Sequence, residues 1–341
     1  QEQADLTTRP APTEASVTIL SPRHYQVFQR ESRTEGTILV NGCTSLAASR
    51  AECRITGRSL NGDVMGKWQP LPYDRAAKSF NAKLPLPAGG WYDLQVRVHA
   101  DHHLPQTATV EKFGIGEVFV GAGQSNSTNC GEERIQQTTG MVASFGGLHW
   151  KLADDPQLGV ADKSEGGSFW PAFGDAMYDR FGVPIGVATT GYGGTSVNQW
   201  QPDTHLFNWM MTRVHQLGPL GFRALLWHQG ESDTEMSADE YFAKLKSTIA
   251  ASRQNAGWQI PWFVAQTSYH DPKNLRFEHV RSAQQRIWDD GVALRGPDTD
   301  VLTGDHRDMD GLGIHFSPKG LKAHGRMWAE IVAPFVERQF D

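Results

Sequence analysis

An apolar run that ends in a Gly-Gln-Ser-Asn turn constrains this chain more than any other feature. Val-Phe-Val-Gly-Ala at 118–122 precedes Gly-Gln-Ser-Asn at 123–126. A short apolar run bounded by turn residues is typical of a buried strand in an α/β sheet, and such sheets bind ligands beyond the carboxyl ends of their strands. The pattern predicts Ser125 at such an end, as a candidate nucleophile. Gly and Ser are also ordinary turn residues, so this stretch alone does not establish catalysis.

Three later segments contain the other groups that a serine nucleophile needs, which are a base, an orienting group and donors for an oxyanion. They are Gly-Gly-Thr at 193–195 with Trp200, Gln-Gly-Glu-Ser-Asp at 229–233, and Ile-His-Phe-Ser at 314–317. An imidazole can accept the serine proton at neutral pH and return it to a leaving alcohol. His315 is therefore the candidate base.

Taken in this order, the four segments resemble the SGNH hydrolases, in particular the sialate O-acetylesterase-like carbohydrate esterases and the acetylxylan esterases of family six. The resemblance covers about residues 113–341. It implies a three-layer, flavodoxin-like α/β domain with a parallel sheet. It also implies a serine esterase that removes O-acetyl groups from a polysaccharide or from sialic acid through an acyl-enzyme. The alternative is a non-catalytic carbohydrate-binding protein on the same scaffold.

The resemblance also suggests roles for individual residues. An Asp usually stands three residues before the family histidine, but position 312 is Leu here. Asp310 is the predicted orienting carboxylate; Asp308, Asp305 and a Ser–His dyad held by a backbone carbonyl are the alternatives. The predicted oxyanion donors are the Ser125 amide, the Gly194 amide with Gly193 as its alternative, and the side-chain amide of Gln229. Glu231 is expected to fix its loop, as acidic residues at caps often do.

The first third of the chain differs from the rest in composition and in its hydrophobic pattern. Residues 1–15 are polar, contain proline and lack a hydrophobic period, which predicts a flexible tail. Residues 16–112 contain short β-type runs separated by turn residues, which predicts an Ig-like β-sandwich module. Residues 113–341 then form the predicted esterase domain, in which strand and helix patterns alternate.

Local signals place helices and strands in this second part. Phe169, Phe173, Met177 and Phe181 recur every fourth residue, as on one face of a helix. Ser-Ala-Asp-Glu at 237–240 is a capping-box signature that predicts a second helix start. A further helix is expected near 275–289, and Ser317 followed by Pro318 predicts the start of a terminal helix. Strands are predicted at 182–188, 222–227 and 262–265.

Composition excludes several classes of function. The 32 basic and 38 acidic side chains give a net charge of −6 and are mixed along the chain, so no basic stripe indicates nucleic acid. No apolar run reaches membrane-spanning length. Adjacent carboxylates such as Asp154-Asp155 are poor candidates for the facing pair of a glycosidase. No metal or organic cofactor is implied, an acetylated carbohydrate is the expected partner, and the oligomeric state stays open.

The cysteines bear on the compartment. Cys43 and Cys53 flank a short polar segment and could form a disulfide, which would favour an oxidising compartment, although two unrelated thiols are an equal alternative. Cys130 is expected to be a packed thiol.

A chain that begins at Gln1 suggests a trimmed precursor or an expression boundary, and a secreted or periplasmic protein is the working expectation.

Overall fold

Sixteen strands and six helices are present in residues 16–341, the part of the chain that this computed structural model describes. The predicted tail at 1–15 lies outside these residues. The strands are β1 Val17–Ser21, β2 Val27–Gln29, β3 Glu35–Thr44, β4 Ala48–Ser59, β5 Gly62–Met65, β6 Gln69–Leu71, β7 Tyr73–Asp74, β8 Ser79–Pro87, β9 Gly89–Ala100, β10 Gln106–Gly123, β11 Val142–Phe145, β12 Trp150–Leu152, β13 Ile185–Thr189, β14 Ala224–His228, β15 Trp262–Gln266 and β16 Leu294–Asp298. The helices are α1 Trp170–Phe181, α2 His205–Leu217, α3 Ala238–Ala256, α4 Glu278–Asp289, α5 Asp308–Gly311 and α6 Pro318–Arg338. The protein is therefore a mixed α/β protein.

Strand β10 connects the two halves of the fold. Its first part, from Gln106 to Ile115, pairs antiparallel with β9. In its second part, Glu117 to Gly121 pair parallel with β13 on one side, and Phe119 to Gly123 pair parallel with β14 on the other. The predicted domain boundary at 112–113 falls inside this continuous strand, and the division into domains stays a prediction.

The parallel part of the sheet has the order β11-β13-β10-β14-β15-β16, with β12 antiparallel at one edge. Helices cover both of its faces. Val118 and Val120 lie in a core with side chains of α2, α3 and α4, whereas Phe119 lies in a second core with side chains of α1 and α6. Because successive strand residues point to opposite faces, β10 is buried on both sides, which explains its continuous apolar run.

The N-terminal strands pair antiparallel, except for β2, which pairs parallel with β10, and they enclose a core of their own. Strands β1, β3, β8 and β7 form a four-stranded sheet, while β4 and β9 belong to the larger sheet. Ile38 and Val40 from β3 meet Leu94 and Val96 from β9 in one buried cluster. The alternation predicted for Tyr92, Leu94, Val96 and Val98 is confirmed, since these residues are almost completely buried.

The hypothesis of a disulfide between Cys43 and Cys53 is wrong. Both thiols are free; Cys43 is exposed and Cys53 is buried. Cys43 lies on β3 of the four-stranded sheet and faces solvent, whereas Cys53 lies on β4 of the other sheet and faces the shared core. Residues close in sequence were thus separated into two sheets, and this pair gives no support for an oxidising compartment.

A buried cluster of charges fastens the N-terminal region to the start of the parallel sheet. Glu117 on β10 is completely buried and accepts hydrogen bonds from Arg30 at 2.7 Å and from Arg223 at 2.7 and 2.9 Å. Gln29 donates to the same carboxylate at 3.0 Å. Both oxygens of Glu117 are therefore used, which is the condition under which a buried charge is tolerated.

Helix starts follow the local signals in the sequence. The Ser237 side chain accepts from the Glu240 amide at the start of α3, and the Ser317 side chain accepts from the Gly320 amide at the start of α6. The helices predicted from Phe169 to Phe181 and near 275–289 are also present, as α1 and α4. In the part of the chain described, no helix combines the length and the apolar character needed to cross a bilayer.

Candidate active site

Ser125 lies directly beyond the carboxyl end of β10, in a short 3₁₀ turn formed by Ser125–Ser127. It is 6% exposed. Two local hydrogen bonds from side chains to the backbone stabilise this turn. The Ser127 hydroxyl donates to the Gln124 carbonyl at 2.7 Å, and the Thr128 hydroxyl donates to the Ser125 carbonyl at 2.9 Å. The backbone is thus fixed while the Ser125 amide donates to no group in residues 16–341.

The glycine loop that follows β13 passes over Ser125. A Cβ added to Gly193 would lie 3.5 Å from the Ser125 Cβ, so the loop and the serine are in close contact. The Gly193 amide donates to Asp162 at 2.7 Å and is not free. Gly194 has a φ of +69°, a Cβ there would meet no atom, and its amide has no acceptor among the described residues. Of the two glycines, Gly194 is the one with a donor available to a ligand.

His315 lies in the loop before α6, and the structure brings it to Asp308. Its Nδ1 is 3.5 Å from Asp308 Oδ2, and its amide donates to Asp308 Oδ1 at 3.1 Å. The Asp308 amide in turn donates to the His315 carbonyl at 3.0 Å. The ring is partly accessible, with 30% of the side chain exposed. A ring-to-carboxylate distance at the long end of hydrogen bonding is common in unliganded sites.

Asp310, the predicted orienting carboxylate, does not lie beside the ring. It forms no ion pair with His315, and it is exposed, with a left-handed φ of 56°. Met309 is also left-handed, at 52°, so α5 is a tight turn that carries Asp310 away and leaves Asp308 beneath the histidine. Asp305 is also elsewhere, since it pairs with Lys319 at 2.6 Å. The geometry therefore selects Asp308, which the sequence had offered as an alternative.

Gln229, predicted as an oxyanion donor, is completely buried and its amide is already used. Its Nε2 donates to Asp233 at 2.7 Å and to the Thr195 carbonyl at 3.1 Å, and its Oε1 accepts from the Tyr241 hydroxyl at 2.9 Å. With these partners, the side chain joins the glycine loop to the loop after β14. Its amide therefore has partners within the protein, and its role as an oxyanion donor stays a prediction.

Asn126 connects the serine turn with the histidine loop, a role that the sequence reasoning missed. Its Nδ2 donates to Glu231 Oε1 at 3.1 Å and to the Ile314 carbonyl at 3.2 Å. Asn126 follows Ser125 directly, and Ile314 precedes His315. No hydrogen bond joins Ser125 Oγ to the His315 ring in the described chain, so this amide is the observed link between their backbones. Its position right after the serine was the available signal.

Glu231 is buried rather than solvated, at 3% exposed. Burial raises its pKa above the ordinary value. The neighbouring His228 ring, 3.6 Å from the carboxylate, has its pKa lowered to about 3 by burial, so it is neutral at neutral pH and does not neutralise Glu231. The expectation that Glu231 fixes its loop agrees with its bond to Asn126.

Arg307 stabilises the conformation of the loop before His315, a role that the sequence reasoning also missed. It is 2% exposed and donates to the carbonyls of Leu302 at 2.6 Å, Ile314 at 2.7 Å and Thr299 at 3.1 Å. Its guanidinium lies 3.8 Å from the Tyr269 ring centroid. Burial lowers its pKa to about 10. No sequence motif marks this residue, because its partners are backbone carbonyls.

Among residues 16–341, no group of three or more His, Cys, Asp or Glu side chains is arranged to hold a metal ion.

Two solved structures share this fold. A novel carbohydrate acetylesterase from Xanthomonas citri superposes with a TM-score of 0.54 at 19% identity, over 92% of this chain and 74% of that one. A protein from Arabidopsis thaliana gives a TM-score of 0.53 at 21% identity, over 64% of this chain and 98% of that one. At these identities the likeness concerns the fold.

Sequence comparisons identify the family. A probable carbohydrate esterase from Arabidopsis thaliana is 31% identical over 93 residues, which is 25% of this chain and 36% of that protein. The matched part is thus little more than a third of the relative's length. The family model described as carbohydrate esterase, sialic acid-specific acetylesterase matches residues 115–333, which contain every candidate site residue described above. The chain therefore belongs to this family of carbohydrate esterases.

Proposed function

We propose that this protein is a serine esterase that releases acetate from O-acetylated carbohydrate through an acetyl-enzyme. The observation that carries the proposal is the convergence of three loops, which are the loops that follow β10 and β13 and the loop before α6. Ser125, the Gly194 amide and His315 come from three separate loops, linked through Asn126 and Gln229. Family membership supports the ester chemistry and the carbohydrate substrate.

In the first half of the reaction, His315 takes the proton of Ser125 as Oγ attacks the acetyl carbonyl carbon. Because Asp308 faces Nδ1, Nε2 is the nitrogen assigned to Ser125. The carbonyl oxygen becomes negative and is stabilised by the free amides of Ser125 and Gly194. The carbon–oxygen bond to the sugar then breaks, and His315 returns the proton to the leaving sugar hydroxyl.

The second half repeats these steps with water. His315 accepts a proton from a water molecule whose oxygen attacks the acetyl carbon on Ser125. The bond to Oγ breaks, the proton goes back to Oγ, and acetate leaves. Asp308 orients the imidazole and stabilises the imidazolium, and it does not take up the imidazolium proton.

The finer features of the fold belong to the same proposal. Apolar cores on both faces of the parallel strands support the three-layer SGNH arrangement, and the antiparallel N-terminal sheets with their shared core support a sandwich.

Tyr192, 40% exposed beside Gly193, offers an aromatic face at the rim of the site where a sugar ring can pack.

The direct test is acetate release from acetylated xylan, pectin and O-acetylated sialic acid by the wild type, Ser125→Ala and His315→Ala. Both variants are expected to lose turnover by about 10³-fold or more while unfolding at the wild-type temperature. Ser282→Ala and His279→Ala, on the exposed face of α4, are matched controls and should retain activity. The proposal would be refuted if Ser125→Ala released acetate as fast as the wild type. It would also be refuted if the wild type bound the sugars without releasing acetate.

A further inference from the structure

The segment that joins β12 to α1 runs beside the glycine loop, residues 190–195, which follows β13. The Ala161 amide donates to the Gly191 carbonyl at 2.8 Å, and the Gly193 amide donates to Asp162 Oδ2 at 2.7 Å. The joining segment lies outside the four sequence segments that predicted the site. It nevertheless supplies the acceptor for the Gly193 amide, which is next to the proposed oxyanion donor.

Both oxygens of the Asp162 carboxylate are used. Oδ2 accepts from Gly193, while Oδ1 accepts from the Ser164 amide at 3.0 Å and from the Ser164 hydroxyl. The Asp162 side chain is partly buried. These donors are two backbone amides and a hydroxyl, so Asp162 serves here as an acceptor that fixes the course of the backbone.

Ser164 extends this contact to the turn that contains the nucleophile. Its Oγ accepts from the Asn129 amide at 3.1 Å, and its carbonyl accepts from Asn129 Nδ2 at 3.3 Å. Asn129 follows the 3₁₀ turn of Ser125 closely in sequence. The hydrogen bonds of Asn129, Ser164 and Asp162 therefore form a bridge from the serine turn to the glycine loop. The free amides of Ser125 and Gly194 belong to the two segments that this bridge joins.

The bridge is close to the nucleophile itself. A Cβ added to Gly193 would lie 3.2 Å from Asp162 Oδ2 and 3.5 Å from Ser125 Cβ, so the carboxylate and the serine approach the same point of the loop. A misplacement of about 1 Å in catalytic geometry can cost about 10²-fold in rate. A shift of the loop at Asp162 is therefore expected to change the reaction at Ser125.

Two adjacent glycines make the loop depend on contacts from outside. Gly193 and Gly194 lack side chains that could pack, and Gly194 has a left-handed φ of +69°. The loop is anchored before the pair by the Tyr192 amide, which donates to the end of β10 at 2.9 Å, and after it by the Thr195 carbonyl, which accepts from a buried side-chain amide at 3.1 Å. Between these anchors, Asp162 accepts the one hydrogen bond that an amide of the pair donates within residues 16–341.

We propose that Asp162 is a positioning residue of the oxyanion hole. By accepting the Gly193 amide it orients the peptide that carries the Gly194 amide, and through Ser164 it sets the distance from this amide to that of Ser125. Donors that are oriented before the charge develops stabilise an oxyanion without a cost of reorganisation. The inference rests on the serine esterase function proposed above, and Asp162 acts through the backbone and not by contact with the substrate.

The test compares Asp162→Ala with the wild type in hydrolysis of 4-nitrophenyl acetate and in inhibition by 1,1,1-trifluoroacetone. In the inhibited enzyme, Ser125 Oγ bonds to the ketone carbon, the ketone oxygen becomes an oxyanion, and the serine proton passes to His315. Asp162→Ala is expected to lower kcat by about 10- to 100-fold with KM within a few-fold of the wild type. Its affinity for the ketone should fall by a similar factor, because the adduct resembles the transition state.

Asp162→Asn is the conservative variant. Its Oδ1 can still accept the Gly193 amide, and its Nδ2 can donate to Ser164 Oγ. Most of the kcat and of the affinity for the ketone should therefore return relative to Asp162→Ala. An Asp162→Asn enzyme as slow as Asp162→Ala would overturn the proposed hydrogen-bonding role.

Asp175→Ala is the matched control for a purely structural effect. Asp175 lies on α1 and is also partly buried, and it accepts from the amides of Thr138 at 2.8 Å and Thr139 at 3.1 Å, just before β11. Those residues are at the amino end of a parallel strand, away from Ser125. Asp175→Ala is expected to lower the unfolding temperature and to keep the wild-type kcat and affinity for the ketone.

The outcomes separate this inference from the proposed function. If the wild type hydrolyses no acetyl ester, the esterase function itself fails before any variant is compared. If the wild type is active, the role of Asp162 is overturned by an Asp162→Ala enzyme with normal kcat and normal affinity for the ketone. It is also overturned if Asp175→Ala loses kcat to the same extent as Asp162→Ala, since the loss would then follow stability.

Discussion

The Asp308 carboxylate occupies the space that a side chain at Gly313 would need. A Cβ built on Gly313 would overlap with Asp308 Oδ1, the oxygen that accepts the His315 amide at 3.1 Å. The Gly313 amide also donates to the Asp308 carbonyl at 3.0 Å. The glycine is therefore part of what puts this carboxylate next to the histidine.

Gly313→Ala is expected to push the Asp308 carboxylate away from His315 and to lower kcat with a smaller effect on KM. The reason is that the orientation of the imidazole is lost while the substrate pocket is retained. Kinetics on an acetyl ester, together with the unfolding temperature, measure this. Leu312→Ala, at a neighbouring side chain that is 65% exposed, is the control and should behave like the wild type. A Gly313→Ala enzyme of normal kcat would show that this packing is unimportant.

Asp308→Asn is expected to reduce kcat by about 10²- to 10⁴-fold, because an amide favours the wrong imidazole tautomer and cannot stabilise the imidazolium. Asp310→Asn and Asp305→Asn should remain within a few-fold of the wild type, since neither carboxylate faces the ring. The measurement is kcat for all three variants at one pH. A large loss in Asp310→Asn with little change in Asp308→Asn would reverse the assignment.

Glu231→Gln is expected to stabilise the fold increasingly as pH rises. Because burial raises the folded-state pKa of Glu231 above its ordinary value of 4.5, the folded protein holds this proton more tightly than the unfolded chain. The wild type therefore loses stability as pH rises from that value through the raised pKa, and the glutamine variant does not. Urea unfolding from about pH 4 to about pH 8 measures the difference.

Glu337→Gln is the matched control for Glu231. Its partner Arg180 lowers the pKa of Glu337, so this carboxylate contributes stability above its unfolded pKa that is lost as pH falls. The two variants should thus depend on pH with opposite signs. A difference between Glu231→Gln and the wild type that stays constant over the whole range would contradict the raised pKa.

Glu117→Gln is expected to destabilise the protein by about 3–5 kcal/mol, because it leaves Arg30 and Arg223 without their shared carboxylate in a buried place. Denaturant unfolding of the full chain measures this. Glu337→Gln breaks an exposed pair with Arg180 and should change stability little. Equal effects of the two substitutions would mean that the Glu117 cluster is not what fastens the N-terminal strands to the sheet.

Local chemistry was sufficient to predict much of the chain. The apolar run before Ser125, the helix caps at Ser237 and Ser317 and the alternation through β9 each depend on neighbours in the sequence, and each is present as predicted. The family was also evident from the motifs, because they consist of a few residues whose types are demanded by the chemistry.

Tertiary structure decided what depends on distance through space. Two left-handed residues turn the chain so that Asp308 and not Asp310 meets His315, although Asp310 is nearer in sequence. The fold also buried the Gln229 amide among partners from other loops. Sequence spacing counts residues along the chain, whereas hydrogen bonds, desolvation and the direction of a side chain depend on which segments the sheet brings together.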